Sequence, residues 1–159
     1  MPNFSAILPW YVVAMLAALL SSGCASLPTG VQRPVSTALA APETTPMGQW
    51  VQSRKASAGA RSNSAFFLLE TEELALSARV ALVDGARKTL DLQYYAIHAD
   101  ASTETVLDRL RSAAQRGVRV RLLLDDLNTV GRDAQVLRLA FEPNVQIRLF
   151  NPIPGHRAS

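Results

Sequence analysis

The chain has 159 residues, of which 48 % are hydrophobic, and its 16 basic and 13 acidic side chains leave a formal charge of +3. That length holds one ordinary domain, and so small and scattered an excess argues against nucleic acid as a partner while suiting an anionic membrane surface. The single cysteine, Cys24, excludes an internal disulfide, and with two separate histidines it leaves no zinc-site spacing.

From Ala6 to Leu20 the chain is uncharged, a run of about 15 residues. This is the length of a signal-peptide apolar region and falls short of the ~20 needed to span a bilayer. Ser21, Ser22, Gly23 and Cys24 follow directly, small residues ending in the only thiol. The arrangement resembles a bacterial lipobox, where a diacylglycerol is attached to the cysteine and the peptide is cut before it. The resemblance implies a signal peptide over residues 1–23 and a lipid on Cys24. Because Ala25 rather than Asp comes next, it also implies sorting to the periplasmic face of the outer membrane. Ser21 stands where lipoboxes usually carry Leu, and no Lys or Arg precedes the run. The competing reading is an uncleaved anchor in which Cys24 is an ordinary residue. Residues 24–64 contain Pro28, Pro34, Pro42 and Pro46 among Ala, Ser, Thr and Gly, with no sustained apolar period. They are expected to form a disordered, lipid-anchored linker.

The pattern changes at residue 65. Phe66, Phe67, Leu68 and Leu69 read as a short buried strand, and Thr71 before Glu72 and Glu73 as a helix start with acids in its first turn. Leu74, Ala78, Ala81 and Leu82 form a helical stripe closing near Gly85. Leu90, Leu92 and Tyr94 then alternate with Asp91, Gln93 and Tyr95, the period of a strand. Ser102 or Thr103 can cap a helix whose stripe is Val106, Leu107, Leu110 and Ala114, with Gly117 at its end. Val118, Val120, Leu122 and Leu124 mark one face of a third strand, followed by a loop through Asn128 and Gly131. Val136, Leu137 and Ala140 mark a short helix stopped by Pro143. Val145, Ile147 and Leu149 make a last strand, ended by Asn151 and Pro152. Strands separated by helices require crossovers, so the expected fold is α/β: a mostly parallel sheet with crossover helices over residues 65–159. Ligands on such sheets bind at the carboxyl ends of the strands, which selects Tyr95–His98, Asp125–Asn128 and Asn151–Pro154. Tyr95, His98, Asp125 and Asn128 are the substrate-pocket candidates.

The runs Leu90–Tyr95 (LDLQYY), Gly117–Asp126 (GVRVRLLLDD) and Val145–Pro152 (VQIRLFNP), in this order and spacing, resemble the opening half-domain of the phospholipase D superfamily. The similarity covers about residues 64–152 and is nearest to the bacterial cardiolipin-synthase-like proteins. The family's chemistry resides in a His-x-Lys-x4-Asp motif, present twice in a full-length enzyme. One histidine attacks phosphorus, the other protonates the leaving alcohol, and lysines stabilise the phosphate oxygens. Water as second acceptor gives hydrolysis, and a lipid hydroxyl gives phosphatidyl transfer. The resemblance implies no metal and no cofactor. In this chain His98 is followed by Ala99 and Asp100, His156 by Arg157 and Ala158, and no lysine lies beyond Lys88. In the family the first motif comes soon after the strand equivalent to Val145–Phe150. The expectation is therefore the N-terminal part of a phospholipase D-like lipoprotein, with no catalytic residue of its own and inactive alone. Its expected partners are the phospholipid membrane and anionic headgroups.

Plainer readings stand beside these. Asp125 with Asp126 could hold a metal or act as acid and base, but a strand-terminal Asp also caps its own loop. Tyr94 and Tyr95 point to opposite faces, so only one can reach a headgroup. Arg109, Arg111, Arg116, Arg119 and Arg121 read either as a patch for lipid phosphates or as a solvated edge. A phosphate-loop nucleotide binder would need Gly-x4-Gly-Lys-Ser/Thr, which is absent. A receiver domain would place its acidic pair after the first strand, not the third. The alternative left open is a non-catalytic lipoprotein domain that binds a phospholipid headgroup or a protein partner, and the membrane address disfavours a nuclease of the same superfamily. If the lipobox reading holds, mass spectrometry of the membrane fraction of a bacterial host should find Cys24 as an acylated N-terminus. Cys24→Ala should abolish that species; unchanged processing and membrane retention in the variant would overturn the reading.

Overall fold

The computed structural model describes residues 12, 13, 15, 29–57, 59, 64–129 and 134–153. Cys24 with its lipobox, Gly131, Pro154 and His156 lie outside the described residues. Every element named below lies in one compact unit, Pro34–Asn151. In chain order these are helix α1 (Pro46–Ser57), helix α2 (Glu72–Gly85), strand β1 (Thr89–Tyr94), helix α3 (Ala101–Gln115), strand β2 (Arg119–Asp125), short helix α4 (Ala134–Arg138) and strand β3 (Val145–Phe150). Among the described residues no helix is long and apolar enough to cross a membrane.

The three strands form one parallel sheet in the order β1-β2-β3. The expected α/β class, a small parallel sheet with flanking helices, is borne out. The register sets Leu90, Leu92 and Tyr94 beside Val120, Leu122 and Leu124, and these beside Val145, Ile147 and Leu149. One face of the sheet is thereby apolar across all three strands. Val120, Leu122 and Leu124 are buried there with Val106, Leu107, Leu110, Ala113 and Ala114 of α3, Val83 of α2 and Val136 of α4. At roughly 1.5–3 kcal/mol for each fully buried large aliphatic side chain, this layer is the main source of stability. Small residues at Ala113 and Ala114 let the α3 backbone approach the sheet.

Helix α3 is bounded at both ends by local chemistry. Its N-cap is Asp100, whose carboxylate accepts from the Thr103 N–H at 2.8 Å and from the Ser102 hydroxyl at 2.7 Å. The expected caps, Ser102 and Thr103, thus sit inside the first turn and serve Asp100. An aspartate there is stronger because it also meets the positive end of the helix dipole. At the other end Gly117 takes φ +88°, its N–H donating to Ala114 O at 2.9 Å while the Val118 N–H donates to Ala113 O at 3.1 Å. This pair of bonds is the Schellman closure, and it turns the chain straight into β2.

Four expectations are corrected. Residues 66–69 form no strand: they are irregular, unpaired and exposed, so among the described residues the sheet has three strands instead of four. Their composition suits a buried strand, but among the described residues no partner strand pairs with them. The linker is not wholly irregular, since a 3₁₀ turn at Pro42–Thr44 leads into α1. Periodicity missed α1 because the helix has no buried residue; it starts from the Thr45 hydroxyl accepting the Gly48 N–H, and Gly48 lies against Pro42 O where a Cβ would not fit. In α2 the buried residue is Val83, while Leu74 and Leu82 are exposed. In the α4 region Val136 and Leu139 carry the burial, with Leu137 and Ala140 outside, because the chain tightens to 3₁₀ geometry after Arg138.

A Cβ at Gly117 would meet nothing within 4 Å, so the penalty for another residue there is conformational alone. Gly117→Ala should lower unfolding stability by about 1–2 kcal/mol, and Gly117→Asn by less, since Asn tolerates the left-handed region. Urea midpoints of the three proteins check the order; equal midpoints for Gly and Ala would contradict it.

Candidate functional site

Parallel strands aim their carboxyl ends at one edge, and the loops leaving β1, β2 and β3 gather the expected residues there. Tyr95 follows β1 directly and is 75 % exposed. His98 is also exposed, beyond the buried Ile97, and its carbonyl accepts the Asp100 N–H at 3.0 Å. Asp125 and Asn128 are half-buried and bonded to each other: Asp125 Oδ1 accepts from Asn128 Nδ2 at 2.9 Å and from its backbone N–H at 3.3 Å. Thr129 closes the same turn, donating its hydroxyl to Asp125 O at 2.8 Å. Asp125 therefore shapes its own loop, as an aspartate at a strand end commonly does.

Sequence reasoning passed over the most buried polar groups of this edge. Asp126 is 1 % exposed and Thr129 fully buried. The Asp126 N–H donates to Phe150 O at 3.1 Å, tying the end of β2 to the end of β3. Its burial follows from strand alternation, because Asp126 continues the inward series Val120, Leu122, Leu124. That parity was available in the sequence, but the acidic pair drew the weight to Asp125.

The other face of the sheet is polar. Thr89, Asp91 and Gln93 of β1 lie beside Arg119, Arg121 and Leu123 of β2, with Gln146 and Arg148 of β3 beyond. Arg121 grips Asp91 with two nitrogens, Nε to Oδ1 and Nη2 to Oδ2, the second at 2.8 Å. Its Nη1 donates to the Ser36 carbonyl and hydroxyl at 2.9 and 3.0 Å, and Arg148 Nη2 donates to Pro34 O at 2.7 Å. The segment 34–36 is thus held on this face by arginine hydrogen bonds. A cleft of about 380 Å³ remains, lined by Ser36, Asp91, Gln93, Arg121, Gln146 and Arg148 among others. Arg119 Nε and Nη2 and Gln146 Oε1 are buried on this side with no hydrogen-bond partner. The guanidinium of Arg121, hydrogen-bonded to Asp91, holds that carboxyl below the usual carboxylate range. Asp91 in turn raises Arg121.

The remaining arginines of the expected patch are paired separately. Arg109 meets Asp84 at 3.7 Å, Arg111 meets Glu142 at 3.0 Å, and Arg116 donates to the Val83 and Asp84 carbonyls at 3.3 and 3.4 Å. They link α3 to α2 and to the turn before β3, and form no common anion site with Arg121. Tyr95, His98, Asp125 and Asn128 do not line the 380 Å³ cleft either.

The family model for the cardiolipin synthase, PLD-like domain matches residues 80–157. Cardiolipin synthase C of Escherichia coli (strain K12) is 48 % identical over 86 residues, 54 % of this chain and 18 % of that protein. An uncharacterized protein of Helicobacter pylori (strain ATCC 700392 / 26695) is 36 % identical over 112 residues, 70 % of this chain and 22 % of that protein. A solved structure of NucT from Helicobacter pylori gives a TM-score of 0.45 at 22 % identity, over 56 % of this chain and 54 % of that one. The chain spans about a fifth of the length of the two curated relatives.

The Asp91–Arg121 pair has a pH signature of known sign. A carboxyl whose native value is depressed adds stability above the ordinary value of about 3.9, and loses it as pH falls through the native value. Asp91→Asn should therefore be less stable than the parent at neutral pH, with the gap closing in acid. Urea midpoints of both proteins between neutral pH and the acid limb test this; a gap that stays constant into acid would sink it.

Proposed function

Over residues 80–157 the chain belongs to the phospholipase D superfamily in its cardiolipin-synthase-like branch, and on that footing we propose that it is the front part of an envelope lipoprotein whose complete form carries out phosphatidyl transfer or phosphodiester hydrolysis. One observation carries the division of labour. Within the 159 residues neither His98 nor His156 is followed by a lysine two positions on, so neither begins a His-x-Lys-x4-Asp motif.

A phosphohistidine route needs a nucleophilic imidazole, an acid–base group and cations on the phosphate, held within about 3–3.5 Å of the reacting atoms. The carboxyl edge of this sheet supplies a different inventory. Asp125 and Asn128 are engaged with each other, and Tyr95 and His98 stand in solvent. In the proposed function these four residues form one rim of a pocket whose reacting groups come from sequence beyond this set. The N-terminal segment supplies the address: a lipid on Cys24 and residence at the periplasmic face of the outer membrane. The substrates are anionic phospholipids, and no metal or cofactor is required.

Two measurements test this. The 159-residue chain incubated with labelled phosphatidylglycerol should release no alcohol above blank. Activity that survives repurification and falls on His98→Ala would place the chemistry here and overturn the proposal. The nucleotide sequence after the Ser159 codon should continue in frame into a His-x-Lys-x4-Asp segment; a stop codon at that point would favour the binding-domain alternative.

A further inference from the structure

The polar face of the sheet carries Arg119, Arg121 and Arg148 against two acids, Asp91 and Asp125, and Asp125 is turned to its own loop. Cationic donors on such a face need acceptors, and Arg121 and Arg148 take theirs from the chain that precedes α1. Arg121 commits Nε and Nη2 to Asp91, so its planar guanidinium aims the remaining nitrogen in a fixed direction. That nitrogen, Nη1, meets both oxygens of Ser36, the carbonyl at 2.9 Å and the hydroxyl at 3.0 Å. Arg148, on the neighbouring strand and the same face, reaches the Pro34 carbonyl at 2.7 Å.

The segment they hold is suited to this place. Pro34 has no N–H, so it brings an acceptor to a face of donors and no donor of its own. Ser36 is half-buried, while Val35 between the two bonded residues is 94 % exposed. The bonds to Ser36 and Pro34 join residues 85 and 114 positions apart, so no local turn puts the segment there. Contact continues along the chain. Met47, in the first turn of α1, lies so near Gly85 that a Cβ on the glycine would meet the Met47 Cε at 3.1 Å. Leu39, Pro42 and Val51 line a cavity of about 480 Å³ together with Leu82 of α2 and Leu90 of β1. The compact unit accordingly begins at Pro34, well ahead of residue 65, where the apolar pattern of the sequence starts.

We propose that Arg121, aimed by Asp91, and Arg148 clamp the N-terminal arm to the sheet, so that the folded domain starts at Pro34 and only residues 25–33 separate it from Cys24. The clamp stands without a lipid; its consequence for the anchor rests on the lipidation of Cys24 proposed above. With that lipid in place the clamp makes a short leash. The stretch from Cys24 to Pro34 reaches at most about 35 Å, whereas an arm free as far as residue 64 would reach about four times as far.

The test uses the full chain with Cys24→Ala, spin-labelled at Val35→Cys and Phe141→Cys, both exposed positions of the compact unit. Double electron–electron resonance should give a narrow distance distribution, and Arg121→Gln combined with Arg148→Gln should broaden it. A second pair, Leu74→Cys with Phe141→Cys, should stay narrow in both proteins and shows that the helices and sheet survive. Arg148 is itself exposed, so Arg148→Gln alone leaves the core intact and should already broaden the first pair. A broad first distribution in the protein that keeps both arginines would overturn the proposal, as would one that stays narrow after both are replaced. The leash is read separately, on phosphatidylglycerol vesicles, with the chain acylated at Cys24 and a donor dye at Phe141→Cys. Energy transfer to acceptors in the bilayer should fall once the two arginines are replaced. Unchanged transfer would overturn the leash. A Cys24 without lipid would overturn the address and the leash together, and leave the clamp to the resonance result.

Discussion

Strand β2 has a neighbour on each side and a helix layer over one face, so every second side chain along it must be apolar. Val120, Leu122 and Leu124 meet that demand at 0, 2 and 0 % exposure, and a shift of one residue would bury Arg119 and Arg121 in their place. The same parity decides the neighbours. Leu90, Leu92 and Tyr94 fall opposite the β2 series on one side, and Val145, Ile147 and Leu149 on the other. Helix α3 has to deliver the chain into that register without slack. The Gly117 turn does so, because Val118 is already buried one residue after the left-handed glycine.

The opposite parity builds the second face, which carries charged and polar side chains. Parallel sheets are ordinarily covered on both sides and read as unbroken apolar runs. β2 alternates instead, and the outward set Arg119, Arg121 and Asp125 places charge where a second layer would lie. Arg121 neutralises Asp91 across the strands, and the backbone oxygens of Ser36 and Pro34 each accept a further bond, from Arg121 and Arg148 respectively. Backbone carbonyls are suitable partners here, since they accept hydrogen bonds without adding another charge. Arg119 and Gln146 keep buried groups without partners on this side, which leaves the face less completely satisfied than the core face.

Elements whose cause is local were legible in the sequence. Helix α3, β2 and β3 each have a clean period and a nearby stop signal, and the structure places them within a residue or two of expectation. What failed depended on distant or polar causes. Phe66–Leu69 has strand composition, but a strand exists only where a partner edge does, and composition holds no information about the partner. Helix α1 hides from periodicity because it packs almost nothing; its origin is a threonine hydroxyl and one close glycine contact. At the edge, the carboxyl ends were found by topology, yet side-chain roles needed register. The Asp91–Arg121 pair joins residues 30 positions apart, and only the alignment of β1 on β2 brings them face to face.

At the carboxyl edge Asp125, Asn128 and Thr129 hold their own loop. Asp125 Oδ1 already accepts two bonds from Asn128, and the Thr129 hydroxyl is bonded to the Asp125 carbonyl. Asp126 is buried beneath them with its backbone fixed to Phe150. Side chains that must move a proton or take up a phosphoryl group need an open coordination position. Groups committed to holding a loop instead need saturation. Asp125, Asn128 and Thr129 meet the second requirement, and the Asp126 N–H on Phe150 O ties the end of β2 to the end of β3. An edge held in this way can set the position of reacting groups brought to it, where displacements of about 1 Å change rates by roughly 10²-fold. The position of that edge depends on the same β2 alternation that buries the core.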